Sequence, residues 1–180
     1  MEGLSLILPN VITGKAYYCG DFVNTDVMSP GRFEPYGGVE ELARIAIIDY
    51  EGPTPFVDPA SGRSPYTVIF AGKEFGCGSS RETAPQALHY AGARVVIARS
   101  FARIFYRNCV NMGLLLPIQV AHPYDNAVVG AEVEVDIARR TFRVSGGAAT
   151  PFPDFGPVAE IIAAGGLTAF NKRRIQGGAR

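Results

Sequence analysis

Between residues 66 and 120 the chain keeps changing its hydrophobic period. Tyr66-Thr-Val-Ile-Phe-Ala71, Arg94–Ala98 and Leu114–Val120 are short, largely β-branched runs, separated by helix-like stretches over Arg81–Ala91 and Ser100–Met112. That alternation predicts an α/β layer with parallel pairing, because each strand must be re-entered through a crossover. In the second helix Phe101, Ile104, Phe105 and Val110 fall on or near one side as a core stripe, while Arg103 and Arg107 stack at i,i+4 toward solvent or a partner. Upstream, Gly14–Gly20 reads as a first strand, a polar loop runs to about Gly38, and Val39–Ile48 reads as an apolar helix. The prolines and glycines of residues 51–65 rule out regular structure and make a long loop, not a domain boundary. Ala131–Ile137 then alternates with period two and Arg140–Val144 follows, which predicts a polar-faced antiparallel hairpin. A helix over Phe155–Ala164, a glycine pair and a short helix complete the pattern.

At 180 residues the chain suits one domain, 1–180, with a substantial core. Lys+Arg and Asp+Glu balance at 17 each, so no long-range field draws it to nucleic acid or to anionic lipid, and any anion site must be local. The apolar fraction of 47% against 19% charged residues fits a patch covered by another chain and fits a well-filled core equally. Cys19, Cys77 and Cys109 are odd in number and far apart, which gives neither a disulfide framework nor a Cys-x-x-Cys metal site and favours a reducing, cytoplasmic compartment. An iron–sulfur cluster takes thiolates grouped at short spacing, so this chain is not expected to hold one alone. The apolar run before Pro9 has no basic flank and is too short for a signal or a membrane span. The basic stretch Asn171–Arg180 reads as a helix end with cations favoured by its dipole, followed by a frayed terminus.

The chemistry is expected in Phe75-Gly-Cys-Gly-Ser-Ser-Arg81, between the first of those strands and the first helix. Gly76 and Gly78 permit positive φ, so successive backbone N–H groups can face one point, and the helix that follows adds its unpaired N–H groups. A carboxylate suits that point. Arg81 can hold one bidentately, while Ser79 and Ser80 can donate to it or, deprotonated, act on it. The same residues also read as a capping box, with Ser79 as N-cap and Glu82 three residues on. Gly76-x-Gly78 lacks a third glycine and no Gly-Lys-Ser/Thr follows, which excludes dinucleotide and phosphate-loop geometry. Pro85 leaves the first helical residue open. Cys77 reads as a small filler between the glycines. His89 and His122, the only histidines, read as structural or surface residues.

These residues resemble a known family. Phe75-Gly-Cys-Gly-Ser-Ser-Arg-Glu-Thr-Ala-Pro85, Ala91-Gly-Ala-Arg-Val-Val-Ile-Ala98 and Ser100-Phe-Ala-Arg-Ile-Phe-Tyr-Arg-Asn108 are similar to the swivel domain of the aconitase superfamily, most of all to the small-subunit family of 3-isopropylmalate dehydratase. Gly20-Asp-Phe-Val-Asn-Thr-Asp26, Gly113-Leu-Leu-Leu-Pro117 and Ala163-Ala-Gly-Gly-Leu167 extend the match over roughly residues 14–175. The resemblance implies a compact β/β/α, barrel-like swivelling domain of the α/β class, closing as a lid over a larger unit that carries a [4Fe-4S] cluster.

It also implies roles. Ser79 would be the base in the dehydration of a small hydroxy-dicarboxylate, Ser80 and Arg81 would bind substrate carboxylate, and Asp26 would lie near the active site. Asn24-Thr25-Asp26 reads equally as an Asx-turn. In the family the loop after Asp26 contacts the variable group of the substrate, so Phe33 or Tyr36 would line an isopropyl pocket and Arg32 could instead bind a third carboxylate. Here that loop reads Val27-Met-Ser-Pro-Gly-Arg-Phe-Glu-Pro-Tyr-Gly-Gly38 in place of the usual Ile-Ile-Pro-Ala-Arg-Tyr-Leu type, and Thr83 stands where the common pattern has histidine. Homoaconitate or methylmalate hydratases, and a non-catalytic anion-binding module, therefore stay open beside the isopropylmalate reading.

Overall fold

The computed structural model describes residues 9–124 and 128–177. The N-terminal apolar run and the last three residues of the basic tail lie outside them. Seven strands, β1 (Val11–Cys19), β2 (Tyr66–Ala71), β3 (Val95–Ala98), β4 (Leu116–Gln119), β5 (Glu132–Asp136), β6 (Thr141–Val144) and β7 (Thr150–Pro151), form one sheet. Six helices accompany them: α1 (Thr25–Met28), α2 (Val39–Arg44), α3 (Thr83–Ala91), α4 (Arg103–Met112), α5 (Ala159–Ala164) and α6 (Leu167–Gln176).

The sheet order is β4-β3-β2-β1-β5-β6-β7. The first four strands pair in parallel, as the alternation requires, whereas β5, β6 and β7 add on antiparallel. Parallel pairing therefore describes half of the sheet. The sheet also curls strongly. Three strand steps, about 14 Å if flat, separate β2 from β6, yet the Phe70 and Phe142 rings lie 5.8 Å apart. The barrel-like α/β class implied by the resemblance is the architecture found.

Alternation along the strands divides the core in two. Ile69, Ala71, Val96 and Ala98 face one side and pack with α2, α3 and α4. Val68, Phe70, Val95 and Ile97 face the other, with Val133, Val135 and Phe142 filling the concave side. On α3 the buried residues Ala84, Ala87, Leu88 and Ala91 recur at helical spacing, and the three alanines let the helix lie close on the sheet.

Element ends differ from the sequence reading for local reasons. Ser100–Ala102 is not helical: Phe75 N–H donates to the Ser100 carbonyl at 3.0 Å and Ala102 N–H to that of Phe75 at 3.0 Å, so these residues tie to the glycine turn. With α4 starting at Arg103, Phe105 and Cys109 point inward at i,i+4, and Ile104, a step round the helix, is 49% exposed rather than part of the core stripe. The apolar helix from Val39 stops at Arg44, because Ile47 takes φ +57 and its N–H turns away to the Met28 carbonyl. The 51–65 loop contains no helix or strand but buries Phe56 against Tyr17 and Tyr66.

Candidate functional site

Parallel strands place loops together at their carboxyl ends. Here the segments leaving β1, β2 and β3 meet there. Gly76 N–H donates to the Val23 carbonyl at 2.9 Å, Thr25 N–H donates to the Cys77 carbonyl at 2.8 Å, and Phe75 pairs with Phe101. The glycine turn is thus threaded between the two other segments.

Its glycines are required twice over. Gly76 and Gly78 have φ of +83 and +98, which disfavours any side chain. A Cβ at Gly76 would stand 2.2 Å from Phe105 Cγ, and one at Gly78 would stand 2.2 Å from Asn24 Oδ1. Asn24 is therefore seated against the turn, where its Oδ1 accepts from Asp26 N–H at 2.8 Å and caps α1. The Asx-turn reading of Asn24-Thr25-Asp26 is the geometry found, and the cap aims Asp26 at the turn.

Ser79, Arg81 and Asp26 converge. Arg81 Nε donates to Ser79 Oγ at 3.0 Å and lies 2.7 Å from Asp26 Oδ1. Ser79 Oγ is 3.5 Å from Asp26 Oδ1 and 3.3 Å from Thr25 Oγ1, while the buried Thr25 hydroxyl donates to the Ser79 carbonyl at 3.0 Å. Arg81 also pairs with Glu34, Nη1 to Oε1 at 2.8 Å. Ser79 and Ser80 are both exposed. A guanidinium N–H aimed at a serine oxygen favours the anionic form of that oxygen.

The capping-box reading fails on geometry. The helix N-cap is Glu82, with no side-chain cap bond, and Ser79 is turned to Arg81 instead. Pro85 falls in the first turn of α3, where a missing N–H costs nothing. Thr83, the departure from the common pattern, hydrogen-bonds through Oγ1 to Ser29 Oγ at 2.9 Å. Ser29 is fully buried. The Thr83 hydroxyl and the buried Ser29 hydroxyl thus satisfy each other.

Arg32 and Phe33 lie further out. Arg32 is bidentate to Asp49, with Nη2 to Oδ1 at 2.6 Å and Nη1 to Oδ2 as the second bond, and its guanidinium stacks over the Phe33 ring at 4.6 Å. The reading of Arg32 as a carboxylate ligand therefore meets a guanidinium that already has one. Phe33 and Tyr36 are half-buried against the α-helical core, and Tyr36 Oη donates to the Ser29 carbonyl at 3.2 Å. Glu34 and Ser29 were missed by sequence reasoning. Neither has a periodic or motif signal, and each is recognisable only from its partner across space.

Histidine and cysteine play structural parts. His89 is buried, and desolvation together with the neighbouring Arg94 lowers its pKa to about 4, so it is neutral near pH 7. His122 is exposed. Cys19 and Cys109 are fully buried and burial holds both thiols far above their ordinary pKa. Cys77, also raised by burial, donates its thiol to the Phe22 carbonyl at 3.3 Å. Among the described residues no three His, Cys, Asp or Glu side chains gather as a metal site. These thiols do not fit an iron–sulfur cluster. No helix among the described residues is long and apolar enough to cross a membrane.

Two clefts of about 610 and 570 Å³ lie elsewhere, one between β4 and residues 151–155 and one along residues 44–62, and neither is lined by the turn. Ser79 and Ser80 are exposed and Arg81 is partly so, which leaves the convergent groups accessible from solvent.

Comparison with known proteins agrees. Residues 56–123, which contain the turn, match the aconitase C-terminal domain. The 3-isopropylmalate dehydratase small subunit 1 of Methanopyrus kandleri is 44% identical over 169 residues, 91% of this chain and 94% of that protein. The small subunit from Nautilia profundicola is 41% identical over 93% of this chain and 98% of its own length. The crystal structure of 3-isopropylmalate dehydratase (leuD) from Methanocaldococcus jannaschii superposes with a TM-score of 0.76 at 37% identity, covering 93% of this chain and 98% of that one. With such identity sustained from end to end, this chain belongs to the family of 3-isopropylmalate dehydratase small subunits.

Proposed function

We propose that this chain, acting as one swivelling domain, is the small subunit of a hydro-lyase that interconverts 2-isopropylmalate and 3-isopropylmalate by dehydration and rehydration in leucine biosynthesis. The observation that carries the reading is the Arg81 Nε bond to Ser79 Oγ, 3.0 Å, on the exposed face at the strand ends. A large subunit supplies the [4Fe-4S] cluster and the rest of the active site, in a cytoplasmic assembly. This chain's work is gripping the substrate and moving a proton.

Ser79 is the base. It takes the carbon-bound proton next to a carboxylate, a step that a neutral hydroxyl is far too weak to perform. Arg81 Nε, 3.0 Å from Oγ, donates to that oxygen and offsets the opposing Asp26 Oδ1 at 3.5 Å, which lowers the cost of the alkoxide as it forms. Thr25 supplies a second hydroxyl at 3.3 Å that can donate as charge develops. Asp26 orients Arg81 and the Ser79 hydroxyl. Ser80 and the outer edge of Arg81 bind substrate carboxylate, and Phe33 lies toward the variable group.

A second substrate class has one specific point in its favour. The loop presents the Glu34 carboxylate beside Arg81, with its side chain half exposed, which suits a shorter side group than isopropyl, as in a methylmalate-type acid.

Reconstitution tests the reading. The chain alone should be inactive, and the chain with a cluster-loaded large subunit should turn over isopropylmalate or another member of a hydroxy-acid panel. Ser79→Ala should lower kcat by about 10²–10⁴ without loss of assembly on gel filtration. Full activity of the isolated chain, or an unchanged rate in the variant, would overturn it; the latter outcome points to a non-catalytic anion-binding module.

A further inference from the structure

We propose that Glu34 occupies the substrate-carboxylate position on Arg81, so that the incoming acid binds by exchange with this chain's own carboxylate. The inference rests on the assignment of Arg81 as a carboxylate ligand above.

A guanidinium offers two edges for a bidentate carboxylate, one using Nε and one using both Nη atoms. Asp26 holds Nε at 2.7 Å and Glu34 holds Nη1 at 2.8 Å, so each edge has one donor engaged. Asp26 is fixed by the Asn24 cap and by the backbone bond from Thr25 to Cys77. The backbone bond of Glu34 stays within its own loop, N–H to the Gly31 carbonyl. Glu34 follows the short 3-10 turn Gly31–Phe33, half of its side chain is exposed, and its other side-chain bond is a long one, 3.3 Å from Tyr36 Oη. The Nη edge is the one that can be vacated.

The loop backbone supports the exchange. A Cβ at Gly31 would stand 3.0 Å from Arg81 Nη2, so the guanidinium lies directly on this loop. Glu34 itself sits three residues on, with its N–H donating to the Gly31 carbonyl at 3.0 Å. A carboxylate arriving at the Nη edge competes with Glu34 for Nη1, and repulsion between the two like charges weakens the pair that Glu34 makes there. An exposed ion pair of this kind is weak, so a substrate carboxylate with further partners in the assembled site displaces it readily.

A merely structural Glu34, holding Arg81 in place, predicts the opposite effect of mutation. Glu34→Gln keeps the shape and removes the charge; Glu34→Ala removes the group. Malonate binding to the isolated chain, followed through the Arg81 Nε–H resonance, should tighten roughly two- to five-fold in Glu34→Gln and further in Glu34→Ala. In the reconstituted enzyme KM should fall by a similar factor with kcat changed less than roughly two-fold. Unchanged or weaker malonate binding in both variants would overturn the proposal. The malonate measurement needs no turnover, so it decides the role of Glu34 even if the dehydratase reading fails.

Discussion

Two segments meet at Arg81, and they are built differently. The glycine turn of residues 75–81 is tied by backbone bonds to Val23, Thr25, Ser100 and Ala102, with glycines pressed against Phe105 and Asn24. The loop of residues 30–38 is pinned by side chains on its surface: Arg32 to Asp49, Glu34 to Arg81 and Tyr36 to the Ser29 carbonyl. Backbone pairing inside a packed layer positions a base to a fraction of an ångström, whereas exposed ion pairs give way cheaply. The proposed division of labour follows: the turn carries the proton chemistry common to many hydroxy acids, and the loop adapts to the one that is bound.

Loss of Ser79 is the largest effect this division predicts, and the next tests the rigidity of the turn itself. Gly76→Ala puts a methyl group into Phe105 at a φ of +83, where relaxation would have to move the start of α4. Strain and overpacking together should cost about 2–5 kcal/mol in urea unfolding. A loss below about 1 kcal/mol would mean that the turn yields as easily as the loop, and the contrast would collapse.

Much of this turn was legible in the sequence because its causes are local. Paired glycines around one residue announce positive φ, which both adopt, and an arginine two residues from a serine can reach its hydroxyl, as it does. The parallel half of the sheet was legible for a similar reason, since alternating periods constrain each element in its own window. The β5–β6 hairpin was legible from its period-two alternation, but its antiparallel docking onto β1 and the addition of β7 were not, because strand order is set by contacts between distant segments such as Phe70 with Phe142. The same limit hid Glu34 and Ser29, whose meaning lies in partners 47 and 54 positions away. The alternative reading of Ser79 as a cap fails for a different reason: the capping pattern is written in residue types alone, and the hydroxyl is engaged by the arginine two residues on.

The junction between the two segments gives a smaller effect. Thr83 and Ser29 join the start of α3 to the end of α1 through one hydrogen bond, and Ser29 has no access to water. Thr83→Val keeps the volume and strands the buried hydroxyl, which should cost about 1–2 kcal/mol of stability. Ser29→Ala combined with Thr83→Val should recover part of that loss, since no unpaired group then remains. Equal losses in the single and double variants would show that the bond contributes nothing and that the loop is anchored elsewhere.

Arg32 offers the finest discrimination, because its two proposed roles differ in what they leave unchanged. As a loop staple it spends both Nη atoms on Asp49 and lies over Phe33 with its side chain exposed, so Arg32→Ala should leave the melting temperature nearly unaltered and raise KM by less than roughly three-fold. As a ligand for a third carboxylate it would have to abandon Asp49 in the assembled enzyme, and its loss should then raise KM at least roughly ten-fold for tricarboxylates while sparing isopropylmalate. Asp49→Asn separates the cases further: freeing Arg32 should improve tricarboxylate turnover if it is a ligand in waiting, and should only loosen the loop if it is a staple. A tricarboxylate-specific response to both substitutions would move Arg32 from the adaptable loop into the binding machinery, and the line drawn between the two segments would have to move with it.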